Sequence, residues 1–164
     1  KQVKTNADKI LSGTNLVDIL SGFGQVKMRG AYDLDLMYGP DIDIVVLNDN
    51  PRESSVKALQ KLIDLRLFQK YEYGDFEKFK RAKRPESFII VLKVEHENVK
   101  WEIEIWFLKD IDKEEIEFID KLKKILTPEV RLEILRQKDE REKGGLDKHK
   151  LSSFEIYQTF LSND

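Results

Sequence analysis

Asp41-Ile42-Asp43 heads the apolar run Ile44-Val45-Val46-Leu47, and this stretch constrains the fold more than any other. A short unbroken run of β-branched and aliphatic residues reads as a strand covered on both faces. Side chains alternate along a strand, so Asp41 and Asp43 project from the same face, a little under ~7 Å apart along the backbone. Two ionised carboxylates at that spacing repel, and burial makes the repulsion worse. A chain that starts a buried strand in this way needs a sheet with cover on both sides and a positive charge at the acidic end.

The flanking segments follow from periodicity. Thr14 to Ser21 carries an apolar face of Leu16, Val17, Ile19 and Leu20 and is ended by Gly22 and Gly24, which predicts a helix. Gln25 to Arg29 alternates, with Val26 and Met28 on one side, and predicts a strand; Gly30 to Pro40 is a turn-rich excursion. Asn50-Pro51-Arg52-Glu53 opens a helix, with Asn as cap and Glu53 placed to close a capping box. Val56, Leu59, Leu62, Ile63 and Leu67 form its apolar stripe. A strand is expected around Gln69 to Tyr73. Ser87 to Val94 and Val99 to Leu108 form a hairpin turning at His96-Glu97-Asn98. On its second strand Val99, Trp101, Ile103, Ile105 and Phe107 share one face, and Lys100, Glu102, Glu104 and Trp106 share the other.

The rest is helical. Asp112 to about Leu126 opens with Asp112 and Glu115 in capping-box positions, Thr127-Pro128 starts a second helix that Gly144-Gly145 ends, and Ser152-Ser153-Phe154-Glu155 opens a third, with Tyr157, Phe160 and Leu161 inward. The order predicts an α+β fold: a mixed β-sheet flanked by helices, with a C-terminal helical tail. One domain is expected over residues 1–164, its core at about 14–108 and its helical part at about 109–164.

Composition narrows the function. A net charge of -2 gives no global field for nucleic acid or a membrane. Cysteine is absent, which excludes disulfides and thiolate metal sites and fits a reducing compartment. No apolar stretch approaches the ~18 residues of a membrane span, and the polar N-terminus lacks a signal-peptide core. A cytoplasmic protein is expected, without a membrane partner.

A hard divalent cation offsets the Asp41–Asp43 repulsion. Mg²⁺ takes carboxylate oxygens and keeps positions for water and substrate phosphates. A third carboxylate from a neighbouring strand, Glu102 or Glu104, would complete a site for two metals. Upstream, Gly30 follows a strand. Glycine lets the backbone approach a ligand closely, and successive N–H groups can cradle a phosphate.

These residues resemble the DNA polymerase β-like nucleotidyltransferases, in which a Gly-(Gly/Ser) turn precedes Asp-x-Asp at the start of a strand, and a further acid lies between apolar residues on a later strand. Gly30-Ala31 resembles the turn, Asp41-Ile42-Asp43-Ile44 the pair, and Ile103-Glu104-Ile105 the third position. The similarity spans about Gln25 to Leu108, and Ser152 to Leu161 resembles small stand-alone bacterial members. The resemblance implies transfer of a nucleoside monophosphate from an NTP, ATP first among them, to a hydroxyl on a small molecule, protein or RNA, with Mg²⁺ as cofactor. It makes Asp41, Asp43 and Glu104 both metal ligands and catalytic carboxylates. Gly30 and Ala31 then bind triphosphate through the backbone; Arg29, just before the turn, is placed either to contact phosphate or to stand as an exposed strand residue. Ala31 departs from the pattern, because it has no hydroxyl to offer the triphosphate. That departure supports an alternative: a catalytically degenerate module that binds a nucleotide or a protein, for instance in a toxin–antitoxin pair. A glycosyltransferase also uses Asp-x-Asp, but the chain is short for that framework.

Other features have plain readings. Asp33-Leu34-Asp35 repeats the acidic spacing without a following strand and reads as a solvated turn. Lys78, Lys80, Arg81, Lys83 and Arg84 form a basic cluster around Phe79, read as an exposed loop or helix end. His96 and His149 lack partners at ligand spacing and read as surface residues. Lys138 to Lys143 reads as a charged helix face with i,i+4 pairs. Trp101 is expected in the core; Trp106 is expected at the border of a base pocket or under the tail.

Overall fold

A computed structural model describes residues 2–80, 85–145 and 151–162. The elements in order are α1 (Gln2–Thr14), α2 (Leu16–Ser21), β1 (Gln25–Arg29), α3 (Gly30–Asp33), β2 (Asp41–Leu47), α4 (Pro51–Leu65), β3 (Lys70–Asp75), β4 (Phe88–His96), β5 (Val99–Leu108), α5 (Lys113–Ile125), α6 (Pro128–Lys143) and α7 (Ser153–Leu161). The strands form one mixed sheet in the order β1-β2-β5-β4-β3. β2 runs parallel to β5, and the other neighbouring pairs are antiparallel. This is the α+β architecture that the sequence predicts.

The β2 alternation divides the sheet chemically. Ile42, Ile44 and Val46 enter the main core with Ile103, Ile105 and Phe107 of β5, beneath α1, α2 and α4. The opposite face carries Asp41 and Asp43 at the start of β2. Further along, Val45, Ile89, Trp106 and Leu108 close it as a smaller apolar cluster. A third cluster joins Leu34 and Leu36, between α3 and β2, to Leu122, Ile134, Ile156 and Tyr157 of α5–α7. The helical tail therefore docks on the segment that leads into the acidic pair.

Several local details differ from the sequence reading. α1 is a full helix ahead of the expected start, and its Ala7, Ile10 and Leu11 are buried in the main core. Gly30–Asp33 is a short helix inside what reads as a plain turn. α4 buries Ser54, Ser55, Ala58 and Leu62, while Val56 and Ile63 are exposed, because small side chains let the helix lie close to the sheet. The Asn50 side chain caps nothing and instead meets Glu53 at 2.8 Å. Asp112 does cap α5 by accepting from the Glu114 amide. Glu115, however, turns to Arg29 rather than back to the cap. Lys138 and Arg141 are buried, so α6 is not simply a solvated charged face, although Asp139–Lys143 does pair as i,i+4 at 2.6 Å. The hairpin, the Thr127 cap and the Ser152–Glu155 capping box form as read. Among the described residues no helix is long and apolar enough to cross a membrane.

Candidate active site

Strand register sets the site. Arg29 on β1 lies opposite Asp43, and Asp43 lies opposite Glu104 on β5, while Asp41 lies opposite Glu102. Neighbouring strands run about 4.8 Å apart and paired residues share a face. The row Arg29–Asp43–Glu104 therefore crosses three adjacent strands on one side of the sheet.

The Gly30 turn touches this row. Gly30 has φ +63°, and a Cβ added to it would lie on the Asp43 carboxylate. Glycine is thus required twice, by the left-handed backbone and by the close approach of Asp43. Leu34 N donates to Gly30 O at 3.3 Å and Leu36 N donates to Ala31 O at 2.8 Å. The turn's carbonyls are taken up in folding back the chain, while its first amides precede the helical ladder.

A cleft of about 700 Å³ opens over these residues, with Gly30, Ala31, Asp41 and Asp43 on the sheet side and Phe118, Phe154 and Tyr157 on the helical side. The Phe118 and Phe154 rings are tilted, with centroids 4.5 Å apart. Tyr157 is buried, and its phenol is pushed above its ordinary value chiefly by burial and further by the negative charges of Asp41 and Asp43. Its hydroxyl oxygen accepts a hydrogen bond from Lys138 Nζ at 2.8 Å. Arg29 pairs with Glu115 at 2.5 Å where β1 meets α5.

Glu104 shares the face without joining a metal cluster. Its Oε2 accepts from Trp106 Nε1 at 3.1 Å, two residues along the same strand. Trp106 is itself held in the smaller apolar cluster, with Phe76 at a centroid distance of 5.9 Å. Among the described residues no group of three acidic or imidazole side chains is gathered to hold a metal ion. Glu102 pairs with Lys93 across β4 and β5 on a half-exposed face, which suits the solvated reading of that position. Trp101 is core, as expected.

The sequence singles out Asp41, Asp43, Gly30, Ala31, Arg29 and Glu104, and the structure brings the first five to the cleft wall. It does not single out Phe118, Ser153, Phe154 or the cleft role of Tyr157. The inward pattern of the last helix pointed to Tyr157 without a cleft role, and no sequence signal pointed to Phe118, Ser153 or Phe154. Asp33 pairs with Lys123 and Asp35 with Lys4, so the second acidic doublet is spent on the surface. Lys80 pairs with Glu86, and Lys78 stands over the Phe79 ring. Arg81, Lys83, Arg84 and His149 lie outside the described residues.

No family model matches the chain, and no curated protein matches it. Among solved structures it is similar to a chain from the polymerase core of TRAMP, an RNA surveillance complex, with a TM-score of 0.61 and 20% sequence identity. The match covers 92% of this chain and 46% of that one, so this chain spans less than half of its neighbour's length. The likeness shows the fold, which is nucleotidyltransferase-like: a mixed five-stranded sheet flanked by helices.

Proposed function

We propose that this protein transfers a nucleoside monophosphate from an NTP to a hydroxyl acceptor in a Mg²⁺-dependent reaction. The observation that carries the reading is the contact between the Gly30 turn and Asp43 inside a cleft that also takes Asp41. A polymerase core with the same fold is in keeping with NTP chemistry.

The donors fit Mg²⁺. They are hard carboxylate oxygens two residues apart on one strand face, and Mg²⁺ is ordinarily held by one or two carboxylates with waters and substrate phosphates completing its shell. Asp41 and Asp43 would hold it, and when bound it supplies charge neutralisation at the transferring phosphoryl group.

The chain's own groups do the remaining work. The Gly30 and Ala31 amides donate to the triphosphate. Arg29 exchanges Glu115 for a phosphate oxygen. Glu104, next to Asp43 in the sheet, releases Trp106 and accepts the proton of the attacking hydroxyl. The new bond joins the acceptor oxygen to the α-phosphorus, the α–β bridge breaks, and pyrophosphate leaves. Catalysis of this kind is mainly positioning and charge stabilisation.

Asp43→Asn keeps the side-chain shape and removes the charge. A folded variant should release no pyrophosphate from ATP and Mg²⁺ with any acceptor that the native chain uses, and retained turnover refutes the role. A second reading, a degenerate module that binds nucleotide or a protein partner without turnover, is favoured by Ala31 and by the hold of Trp106 on Glu104. Calorimetric titration with ATP and Mg²⁺, followed by a pyrophosphate assay across acceptors, separates the two.

A further inference from the structure

Residues 29–38 connect the glycine turn to the acidic pair, and the helical tail grips them along their length. Glu115 of α5 holds Arg29, and Lys123 holds Asp33 at 2.7 Å. From α6, Arg131 donates to the Leu34 carbonyl, Lys138 donates to the Leu36 carbonyl at 2.8 Å, and Asp139 accepts from the Tyr38 hydroxyl at 2.7 Å. Two of these links end on backbone carbonyls, so they fix the path of the chain rather than a side chain.

Lys138 differs from the others. The remaining ionic links are partly exposed, and such pairs contribute little. Lys138 is 2% exposed. A buried ammonium is tolerated only when its donors are satisfied. It bonds Leu36 O and the Tyr157 hydroxyl, both at 2.8 Å, and lies 5.0 Å from the centre of the Tyr157 ring. Tyr157 lines the cleft beside Asp41 and Asp43. One side chain thus joins α6, α7 and the segment entering β2.

We infer that Lys138 is a positioning residue: by fixing residues 34–40 from the tail it sets the Gly30 turn against the Asp41–Asp43 pair. This rests on the pair being the metal- and nucleotide-binding acids. An apolar side chain of the same length would fill the space and hold the helices together. It would leave the Leu36 carbonyl and the Tyr157 hydroxyl without their common donor, and the entry to β2 would no longer be tied.

The test is K138M in the full chain, at a temperature where a melt shows it folded, read by amide exchange and by binding of Mn²⁺ as a spectroscopic probe. Exchange over residues 34–43 should quicken by about tenfold or more while β4 and β5 are unchanged. Mn²⁺ affinity should fall by about tenfold, and kcat should drop more than KM for ATP rises. If K138M does not fold, Tyr157→Phe, which removes only the hydroxyl partner, should show the same local change in milder form. A folded variant that melts earlier but keeps native exchange at 34–43 and native Mn²⁺ affinity marks a merely structural lysine and overturns the inference. A native chain that binds no Mn²⁺, with or without ATP, instead overturns the nucleotidyltransferase reading, and the positioning role falls with it.

Discussion

Gly30→Ala tests the contact on which the site is built. At φ +63° a left-handed backbone with a Cβ costs about 1–2 kcal/mol. The new methyl would also occupy the Asp43 carboxylate position. Asp43 must then leave its rotamer or the turn must shift, at about 0.5–1.5 kcal/mol. Together these give roughly 1.5–3.5 kcal/mol, and a domain of this size loses about 2–4 °C per kcal/mol. The melting temperature should therefore fall by roughly 3–14 °C. Gly13→Ala is the control, because nothing lies within 4 Å of its added Cβ. In α1 that change should be neutral or stabilising by up to about 1 kcal/mol. Circular-dichroism melts of both variants, with calorimetric titration of ATP and Mg²⁺, supply the readout. Gly30→Ala should lose nucleotide affinity even where it is fully folded, since it moves Asp43. A Gly30→Ala protein that melts with the native chain and binds nucleotide normally would show that neither the backbone nor the Asp43 contact is as described.

Glu102→Gln and Glu104→Gln separate the two candidates for the third carboxylate. The first loses one exposed cross-strand pair and should change stability by no more than about 1 kcal/mol with turnover kept, whereas Glu104→Gln should slow turnover by about 100-fold or more; the opposite order in a pyrophosphate assay would reassign the role. Tyr32, beside the turn, donates to Asp8 at 2.6 Å, and burial together with that carboxylate raises its pKa from 10.0 to about 12. Its folded-state proton is held more tightly than in the unfolded chain, so its contribution to stability is intact below pH 10 and is lost as pH rises toward 12. Ultraviolet titration of the native chain against Tyr32→Phe should show one phenol ionising near the upper value, and a phenol lost near pH 10 instead would contradict the burial.

What could be read in advance had local causes. β2 was legible because an unbroken apolar run after alternating acids admits few other conformations. The β4–β5 hairpin was legible because Val99 to Leu108 alternates cleanly after the short link His96-Glu97-Asn98, where Glu97 and Asn98 then take φ +52° and +62°, as a tight two-residue turn demands. α1 carried its signal in Val3, Ala7, Ile10 and Leu11 at helical spacing, obscured by the polar residues between them. The buried face of α4 was misread because size alone suggested Val56 and Ile63, while close packing on β4 and β5 favoured Ser54, Ser55 and Ala58. Lys138 and Arg141 were not legible as buried at all. Arg141 pairs with the adjacent Glu142, but the Leu36, Tyr157 and Leu151 acceptors that receive these two buried side chains are brought by the fold from other elements. The same holds for the site: the acidic pair and the glycine turn are written locally, and the helical wall of the cleft is not.

The pairing of β2 with β5 is what turns two separate motifs into one arrangement. Slipping β5 by one residue would place Ile103 or Ile105 beside Asp43 and send Glu104 into the main core with Ile44. The apolar runs on both strands forbid that slip, since each would expose its buried set. Placement of the acids is thus inherited from the core, and no residue of the site has to provide it. What remains adjustable is the Glu104 side chain. Its bond to Trp106 is a hydrogen bond to a charged group, of about 1.5–3 kcal/mol. On the proposed function, that is small enough for a bound cation and triphosphate to outweigh, and it is large enough to keep the carboxylate ordered in their absence.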